Sequence, residues 1–342
     1  MTTRLQDALK LDLEAKAREL SEGLRDAVLQ RLRRRGLVVA VSGGIDSACV
    51  AALGVRALGP ERVFALLLPE RDSRPESLSY GAALCKKLGI RHEVKDVAPI
   101  LEAAGCYEAR NQAVREVVPE FEPSMPWKIV LASDPLSSEV LHFFKLVVRL
   151  ASGEERQYRL PPRAYLQIVA ATNFKQRTRK MLEYYHADRL NYAVAGTPNR
   201  LEYDQGFFVK LGDGAADVKP IAGLYKTQVY ALARHLGVTG EILQREPTTD
   251  TYSLEQSQED FYYSLHYSKL DLVLWAKNHG VSAESAASDL GYAPEQVRRV
   301  YDDIDQKRRA TSYLHAAPIL LEPVDDLAGQ APLATQILPT SA

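Results

Sequence analysis

The chain of 342 residues is long enough for one large α/β domain with insertions, or for two modest domains. Hydrophobic residues make up 46% and charged residues 25%, which predicts a soluble globular protein. The formal net charge of -1 provides no overall basic field, which argues against nucleic acid as the main partner. No apolar run approaches the roughly 20 residues that cross a bilayer, so we expect no membrane association.

The N-terminus and the cysteines both indicate a cytoplasmic protein. Residues 1–35 are strongly charged and lack the apolar core of a secretory signal peptide. Cys49, Cys85 and Cys106 are too few and too scattered for a disulfide framework, and no C-x-x-C pair suggests zinc. We therefore expect free thiols and a reducing compartment.

The first part of the chain alternates between helical and strand patterns. A charged amphipathic helix is predicted over residues 4–35 and makes an N-terminal unit, residues 1–36, that Gly36 ends. Apolar strands are predicted at 37–41 and 63–68 and a short third strand at 91–94, with helices at 48–58 and 77–88 between them. Because continuous β-branched runs suit strands buried on both faces, this alternation predicts an α/β fold with a doubly wound parallel sheet and flanking helices.

Residues 106–163 interrupt this alternation. Because the runs 143–150 and 157–160 resemble the two strands of a hairpin, we interpret 106–163 as an insertion beside the site. The main domain, 37–320, then continues with predicted helices at 164–190, 226–236 and 261–307, a strand at 191–196, and a polar stretch at 246–260 with the composition of a mobile loop. Residues 321–342 are predicted to form an irregular tail.

The motif with the most chemical content follows the first strand. It consists of six residues: Ser42, Gly43, Gly44, Ile45, Asp46 and Ser47. Two glycines allow the backbone to approach a phosphate closely, and the N–H groups at the start of the next helix favour an anion. Asp46 could orient the turn or help to hold a metal ion beside the phosphates.

Two other interpretations of this motif compete with phosphate binding. It is not a Walker loop, because no Gly-Lys-Ser/Thr follows at the required spacing. A tight strand-to-helix turn with a serine cap would also explain a bare Gly-Gly pair. The coincidence of a buried strand, two serines and an acid favours the phosphate-binding interpretation.

The six residues resemble the pyrophosphate-binding loop of the N-type ATP pyrophosphatases, a group with a Rossmann-like fold that includes GMP, asparagine and NAD synthetases. This resemblance implies cleavage of ATP between its α and β phosphates, with AMP passed to an oxygen of the substrate. Further motifs resemble the NAD synthetase family in order and spacing: residues 173–179, Tyr184-Tyr185, residues 196–199, Glu202, 206–210, 212–217, 224–229 and 307–309. The resemblance covers roughly residues 15–105 and 164–315.

The family resemblance implies a role for each of the following residues. ATP would be bound by Ser42, Gly43, Gly44, Ile45, Asp46, Ser47, Arg179, Thr197 and Lys226, and the carboxylate substrate by Asn173, Arg177, Lys210, Asp217 and Glu259. Mg²⁺ would be held by Asp46, Glu202 and Asp213, and the catalytic residues would be Asp46, Lys210 and Lys226. ATP is then a co-substrate, and a homodimer with the acceptor site at the subunit interface is expected.

The residues themselves support these roles to different degrees. Glu202 and Asp213 could hold Mg²⁺ against phosphates or could be solvated loop acids. A surface lysine is the commoner case for Lys210, whereas Lys226 opens a predicted helix, where a bound anion would offset its unfavourable interaction with the macrodipole. Arg177 and Arg179 are two positions apart on a predicted helix, so we expect only one of them to face the nucleotide.

Departures from the family pattern concentrate in the acceptor half. Pro198 stands where the family usually has Gly or Asp, and Ala215 replaces a usual Gly. The segment before Asn173 is longer than expected. Phe261-Tyr262-Tyr263 stands where a Glu-Leu-Gly-like sequence is expected. The leading hypothesis is an ammonia-dependent NAD synthetase. The alternatives are an amide- or hydrazide-forming synthetase that acts on another carboxylate, and a nucleotide-binding homologue without activity. Only about 36 residues precede the first strand, so a glutaminase domain is not expected, and the implied donor is free ammonia or a separate glutaminase subunit.

Overall fold

We analysed a computed structural model of the chain, which describes residues 5–131, 144–248, 251–263 and 265–322, with only the backbone of residues 6, 259 and 260. The strands are β1 Leu37–Ala40, β2 Val63–Leu67, β3 Arg91–Val94, β4 Trp127–Leu131, β5 Phe144–Arg149, β6 Glu155–Arg159 and β7 Ala193–Val194. The helices are α1 Leu5–Ala8, α2 Leu13–Asp26, α3 Ile45–Leu58, α4 Pro75–Leu88, α5 Ala98–Ala103, α6 Cys106–Arg115, α7 Pro162–Leu190, α8 Arg200–Gln205, α9 Lys226–His235, α10 Gly240–Gln244, α11 Tyr267–Asn278, α12 Ala283–Leu290 and α13 Pro294–His315. Short π-helical turns occupy Ala27–Arg31 and Glu259–Tyr263, and a 3₁₀ turn occupies Pro60–Arg62.

The central sheet has the strand order β3-β2-β1-β7, and all its pairings are parallel. Leu37 and Val39 pack on one face of the sheet against α2, α3 and α9, whereas Val38 packs on the other face beside α7. Helices therefore cover both faces, as the buried β-branched runs require. The predicted doubly wound parallel sheet with flanking helices is confirmed.

The N-terminal helix predicted as one element over residues 4–35 is interrupted, so this expectation was wrong. The carboxylate of Asp12 accepts a hydrogen bond of 3.0 Å from the Ala15 N–H and starts α2 as a separate helix. After Asp26 the backbone changes to the π-helical turn. An amphipathic pattern persists through such breaks, because residues on either side still pack on the same core.

Two other predicted boundaries differ for local backbone reasons. Helix α3 begins at Ile45 rather than at Ala48, because Gly44 takes an extended N-cap conformation directly after the glycine turn. The strand predicted over 191–196 contracts to the two residues of β7, because Asn191 ends α7 in the left-handed conformation with φ 55°.

The insertion contains a second sheet, antiparallel, with the order β4-β5-β6. Its β5–β6 hairpin matches the predicted hairpin, whereas β4 and α6 were not predicted. Trp127, Ile129 and Leu146 of this sheet share a core with Ile168 of α7. The sheet is thus packed onto the main domain through its apolar face.

The described residues of the segment 246–260 are mostly irregular, as predicted for a loop, but they make specific contacts. The Leu254 N–H donates a 3.1 Å hydrogen bond to the Trp127 carbonyl, and Thr248 forms a β-bridge with Ser257. Helical segments beyond it extend to His315, past the predicted 307. Most of the predicted tail, residues 323–342, lies outside the described residues. None of the described helices is long and apolar enough to cross a bilayer.

Candidate functional site

A cleft of about 550 Å³ opens at the carboxyl end of β1. The chain leaves β1 towards β2 on one side, while β7 pairs on the other side, so the strand order reverses at this position. Such a switch point is where parallel α/β sheets bind ligands. Every member of the six-residue loop except Gly43 lines the cleft, together with Arg179, Thr197, Glu202 and Lys226.

The turn between β1 and α3 depends on Gly43. Its φ is +77°, and a Cβ atom there would lie 2.4 Å from the carbonyl oxygen of Ser77. The Ser47 hydroxyl then fixes the turn, because it donates to the Gly44 carbonyl at 3.1 Å and accepts from the Ser42 N–H at 3.2 Å. The first turn of α3 therefore presents its N–H groups to the cleft, which suits an anionic phosphate.

Asp46 is held by two partners from distant parts of the chain. The Asn199 amide donates to one carboxylate oxygen at 2.9 Å, and the Lys226 ammonium forms an ion pair with the other. Burial disfavours the charge of Lys226, but the carboxylates of Asp46 and Glu202 outweigh that effect and raise the pKa of the lysine above its usual value. Lys226 is 1% exposed and therefore remains a fixed cation at the floor of the cleft.

Glu202 is fixed by a capping box at the start of α8. The Asn199 side chain accepts from the N–H groups of Leu201 and Glu202, and the Glu202 carboxylate accepts from the Asn199 N–H at 3.0 Å. The Gln258 amide donates to the other Glu202 oxygen at 3.2 Å. Burial and the nearby Asp46 carboxylate raise the pKa of Glu202 to about 8.

The acids proposed for Mg²⁺ all line this cleft. Asp213 is tied to the Val209 N–H at 2.8 Å, and burial raises its pKa. The described residues contain no cluster of three or more His, Cys, Asp or Glu side chains arranged as a metal cage. The carboxylate oxygens of Asp46, Glu202 and Asp213 are the kind of ligand that a hard cation takes together with phosphate oxygens.

Helix α9 begins at Lys226, as predicted, and its N-terminus is balanced by a residue that the sequence did not single out. The Asp271 carboxylate accepts from the N–H groups of Lys226 and Thr227 at 3.2 and 2.7 Å. Burial raises the pKa of Asp271 to about 6. This acid offsets the positive end of the helix macrodipole, which would otherwise repel the Lys226 side chain.

The two arginines of α7 diverge as their spacing predicts. Arg179 lines the cleft and donates to the Leu68 carbonyl at 2.9 Å. Arg177 is exposed, donates to the Lys210 carbonyl at 3.2 Å and does not line the cleft. Asn173 and Thr197 are both in the cleft wall.

Several residues expected to bind the carboxylate substrate lie away from this cleft. The Lys210 ammonium donates to the carbonyls of Tyr313 and Ala316 at 2.8 and 2.9 Å. Asp217 is exposed and accepts from the Val194 N–H at 2.7 Å. The Glu259 side chain lies outside the described part of the structure. Of the described residues predicted to bind the carboxylate substrate, only Asn173 therefore lines the same cleft as the loop at 42–47.

Sequence reasoning missed several residues of the cleft. The Arg245 guanidinium donates to the Gly43 carbonyl at 3.4 Å and to the Ser77 hydroxyl at 2.9 Å, which joins the loop to α4. The role of Asn199 was recoverable, because Asn-x-x-Glu before a helix is a capping-box signal. Nothing local identifies Arg245 or Gln258, because their partners lie more than 50 positions away in the sequence.

The fold and the cleft define an α/β protein with a glycine-containing strand-to-helix loop at the switch point of a parallel sheet. The sequence profile of the NAD synthase family matches residues 16–120 and 152–311, and the chain belongs to that family. It is 55% identical over 323 residues to a Rhizobium meliloti (strain 1021) protein named NH(3)-dependent NAD(+) synthetase, with 94% of this chain and 96% of that protein covered.

The fold also resembles two solved structures. The NMN synthetase of Francisella tularensis has a TM-score of 0.61 at 23% identity, with 92% of this chain and 99% of that chain covered. The NH3-dependent NAD synthetase of Campylobacter jejuni has a TM-score of 0.59 at 22% identity, with 91% of this chain and 100% of that chain covered. At these identities the likeness supports the fold alone.

Proposed function

We propose that this chain is an ammonia-dependent NAD synthetase, a ligase that forms a carbon–nitrogen bond with ATP as co-substrate. Its substrate would be deamido-NAD, whose nicotinate carboxylate is converted to the amide of NAD. The observation that carries the proposal is the 55% identity to a relative of that name over 94% of the chain. The arrangement of Asp46, Lys226 and the glycine turn at the end of β1 supports it independently.

The reaction has two steps, and both balance without a protein nucleophile. A carboxylate oxygen of the substrate attacks the α-phosphorus of ATP, and the bond to the β-phosphate oxygen breaks with release of pyrophosphate. Ammonia then attacks the acyl carbon of the acyl-adenylate, AMP departs with the electron pair of the broken carbon–oxygen bond, and the amide nitrogen loses one proton. Catalysis on this scheme depends on positioning and charge stabilisation.

The chain's own groups are suited to stabilise the departing pyrophosphate. The N–H groups of the first turn of α3 would donate to its oxygens, and the Ser42 hydroxyl also lines the cleft. The buried Lys226 cation would interact with the negative charge that develops as the phosphate bond breaks. Asp46 holds the ammonium group of Lys226, and Asp271 accepts a hydrogen bond from its backbone N–H, so both ends of the residue are positioned.

Asp46 and Glu202, with Asp213 beside them in the cleft wall, are the residues that would hold Mg²⁺. When bound, Mg²⁺ would neutralise phosphate charge and favour the leaving of pyrophosphate. Asn199 contacts both Asp46 and Glu202 and would fix the separation of the two acids. Gln258 would hold the second oxygen of Glu202.

The acceptor site is proposed to form between two copies of the chain. Phe174, Arg177, Met181 and Tyr185 are exposed on α7 at the spacing i, i+3, i+7 and i+11, which places them on one helix face. An exposed apolar stripe of this kind suits a protein partner. A second copy that covers this stripe would surround Arg177, which does not face its own cleft. Lys210 and Asp217 would then also bind the carboxylate substrate at the interface between the two copies.

The amine donor is proposed to be free ammonia, or ammonia from a separate glutaminase subunit. The three cysteines, Cys49, Cys85 and Cys106, are buried free thiols, and burial raises the pKa of each. None of them is suited to act as a glutaminase nucleophile, which requires an accessible thiolate. The free thiols also agree with the cytoplasm as the proposed location.

A mass-spectrometric assay with ATP, Mg²⁺, ammonia and deamido-NAD tests this function. We expect equal amounts of NAD, AMP and pyrophosphate, and none of them from an Asp46→Ala variant. Turnover of another carboxylate without turnover of deamido-NAD would instead support an amide- or hydrazide-forming synthetase with a different acceptor. ATP binding without AMP formation across a panel of acceptors would identify an inactive nucleotide-binding homologue.

A further inference from the structure

The antiparallel sheet β4-β5-β6 is placed where it can act on the cleft. The family profile leaves residues 121–151 unmatched, and this stretch includes β4 and β5. The sheet nevertheless shares a buried core with α7, the helix that carries Asn173 and Arg179. Because the sheet packs against the helix that carries these two residues of the cleft, it can influence the geometry of the cleft.

Strand β4 lies at an edge of its sheet, and residues 253–256 lie along that edge. The Trp127 N–H donates to the Ser253 hydroxyl at 3.0 Å, and the Leu254 N–H donates to the Trp127 carbonyl at 3.1 Å. The contacts continue along β4. The Lys128 ammonium donates to the Glu255 carbonyl at 3.0 Å, and the Gln256 amide donates to the Ile129 carbonyl. Three successive residues at the edge of the sheet therefore form hydrogen bonds with this segment.

The other side of the same segment faces the cleft. Thr251, Tyr252 and Gln258 line the cleft, and the Gln258 amide donates to Glu202. The Lys175 ammonium donates to the Thr251 carbonyl at 3.3 Å. One short stretch of chain thus contacts the inserted sheet on one side and a proposed metal-binding acid on the other.

Two aromatic rings connect these sides. The Trp127 ring is 1% exposed and meets the Tyr252 ring edge-on at a centroid distance of 5.0 Å. Tyr252 is 6% exposed and contacts Phe261, which also lines the cleft. Displacement of the segment from β4 would therefore open this core, which favours a fixed arrangement.

We propose that β4 is a fixed brace that holds residues 251–258 against the nucleotide cleft, with Ser253, Gln256 and Gln258 as positioning residues. This proposal deepens the proposed function and rests on ATP being the ligand of the cleft. Fixing the backbone of a residue costs conformational entropy. A brace that orders the segment before ATP arrives removes that cost from binding and holds Gln258 against Glu202.

Three substitutions weaken the brace without touching the phosphate loop. Ser253→Ala removes the hydroxyl that accepts the Trp127 N–H, Lys128→Met removes the ammonium that reaches the Glu255 carbonyl, and Gln256→Leu removes the amide that reaches Ile129. The matched control is Arg149→Ala, which breaks an exposed ion pair with Glu155 elsewhere in the same sheet. Ser253 and Lys128 are not buried, so their variants keep the test available if Gln256→Leu fails to fold.

Hydrogen exchange of the ligand-free full-length protein, calorimetric titration with ATP and Mg²⁺, and steady-state kinetics of NAD formation provide the readouts. In the brace variants we expect exchange of residues 251–258 to accelerate by about tenfold and the Kd and KM for ATP to rise by about 3- to 10-fold. We expect kcat to stay within about twofold, because the catalytic groups are retained. The Arg149→Ala protein should match the unmodified chain in every readout.

Gln258→Leu separates positioning from general stability. This substitution should raise the KM for ATP. Hydrogen exchange of residues 251–258 should stay as in the unmodified chain, because the contacts of residues 253–256 with β4 remain. Unchanged exchange in all brace variants would overturn the proposal, as would faster exchange with unchanged ATP affinity. Absence of NAD formation by the unmodified chain would instead refute the proposed function, because exchange and ATP affinity are measured without the acceptor.

Discussion

At the scale of single residues, Gly43 shows how one position sets the geometry of the phosphate loop. Its left-handed φ of +77° would strain a residue with a side chain, and the Ser77 carbonyl occupies the space that a Cβ atom would need. These two constraints act on different properties of the protein. The first is a backbone preference, whereas the second depends on where α4 packs against the loop.

Gly43→Ala should therefore cost stability and abolish ATP turnover. We expect a loss of about 2–3 kcal/mol in the free energy of unfolding, from strain and from displacement of Ser77. Gly105→Ala is the matched control, because Gly105 also has a positive φ of +70° but has nothing within 4 Å of the added Cβ. The control should lose only about 1 kcal/mol and keep full pyrophosphate release, measured beside denaturant unfolding. Equal effects of the two substitutions would contradict the close-contact argument.

Glu202 makes the stability of the ligand-free protein depend on pH. Its pKa is raised from 4.5 to about 8 by burial and by Asp46, so the folded chain holds the proton more tightly than the unfolded chain. The resulting stabilisation is complete below about pH 4.5 and is lost as the pH rises through 8.

Glu202→Gln removes this titration, so the variant should gain stability relative to the unmodified chain as the pH rises. Between about pH 5 and pH 8 we expect a relative gain of at least about 1 kcal/mol, which levels off at higher pH. Urea unfolding at several pH values, without Mg²⁺ or nucleotide, measures it. Glu61→Gln, at an exposed glutamate outside the cleft, should show no such trend. A pH-independent difference for Glu202→Gln would mean that the carboxyl is not perturbed.

At the scale of elements, helix starts link local sequence signals to the site. Helix α8 is capped by Asn199, which also donates to Asp46, so a single amide serves both the helix and the cleft. Helix α12 is capped by Ser282, whose hydroxyl accepts from the Ser285 N–H at 3.2 Å and does not line the cleft. The two caps allow the structural and functional contributions to be separated.

Asn199→Ala and Ser282→Ala should each cost about 1 kcal/mol of stability, the usual value of a lost cap. Only Asn199→Ala should also reduce pyrophosphate release, by more than about tenfold, because Asp46 loses the donor that fixes its orientation. Thermal unfolding and a pyrophosphate assay on both variants test this pair. If Asn199→Ala lost stability but kept normal turnover, the amide would matter only as a cap.

At the scale of the whole molecule, the exposed face of α7 bears on the proposed dimer. Met181 is 57% exposed and Tyr185 is 60% exposed on the face that carries Arg177. Placing a charge among apolar residues that become buried between two copies is costly unless the charge is paired. The nucleotide cleft is built within one chain, so it should survive separation of the copies.

Met181→Glu should therefore yield a monomer that binds ATP but makes little NAD. Analytical ultracentrifugation, ATP titration and the amidation assay measure the three properties. Val94→Glu is the matched control, because Val94 is 49% exposed on the edge strand β3 and is not part of the exposed face of α7. A Met181→Glu protein that stayed dimeric, or a monomer with full amidation activity, would exclude the proposed interface.

The sequence by itself determined the central parallel sheet, the glycine turn between β1 and α3 and the start of α9 at Lys226. These features depend on local chemistry: β-branched runs form buried strands, and paired glycines allow a tight turn from strand to helix. The family resemblance also indicated Asp46 and Glu202 as candidate metal ligands, but it could not give their geometry.

Only the tertiary structure decided which of these residues meet. Asp46 and Lys226 are 180 positions apart, and their ion pair exists because α3 and α9 pack against each other. The same is true of Gln258 at Glu202 and of residues 253–256 along β4, where composition suggested a mobile loop. Such contacts depend on how distant elements pack, and no local pattern encodes that packing. Arg177 lies outside its own cleft for the same reason, because the direction of α7 fixes which face it presents.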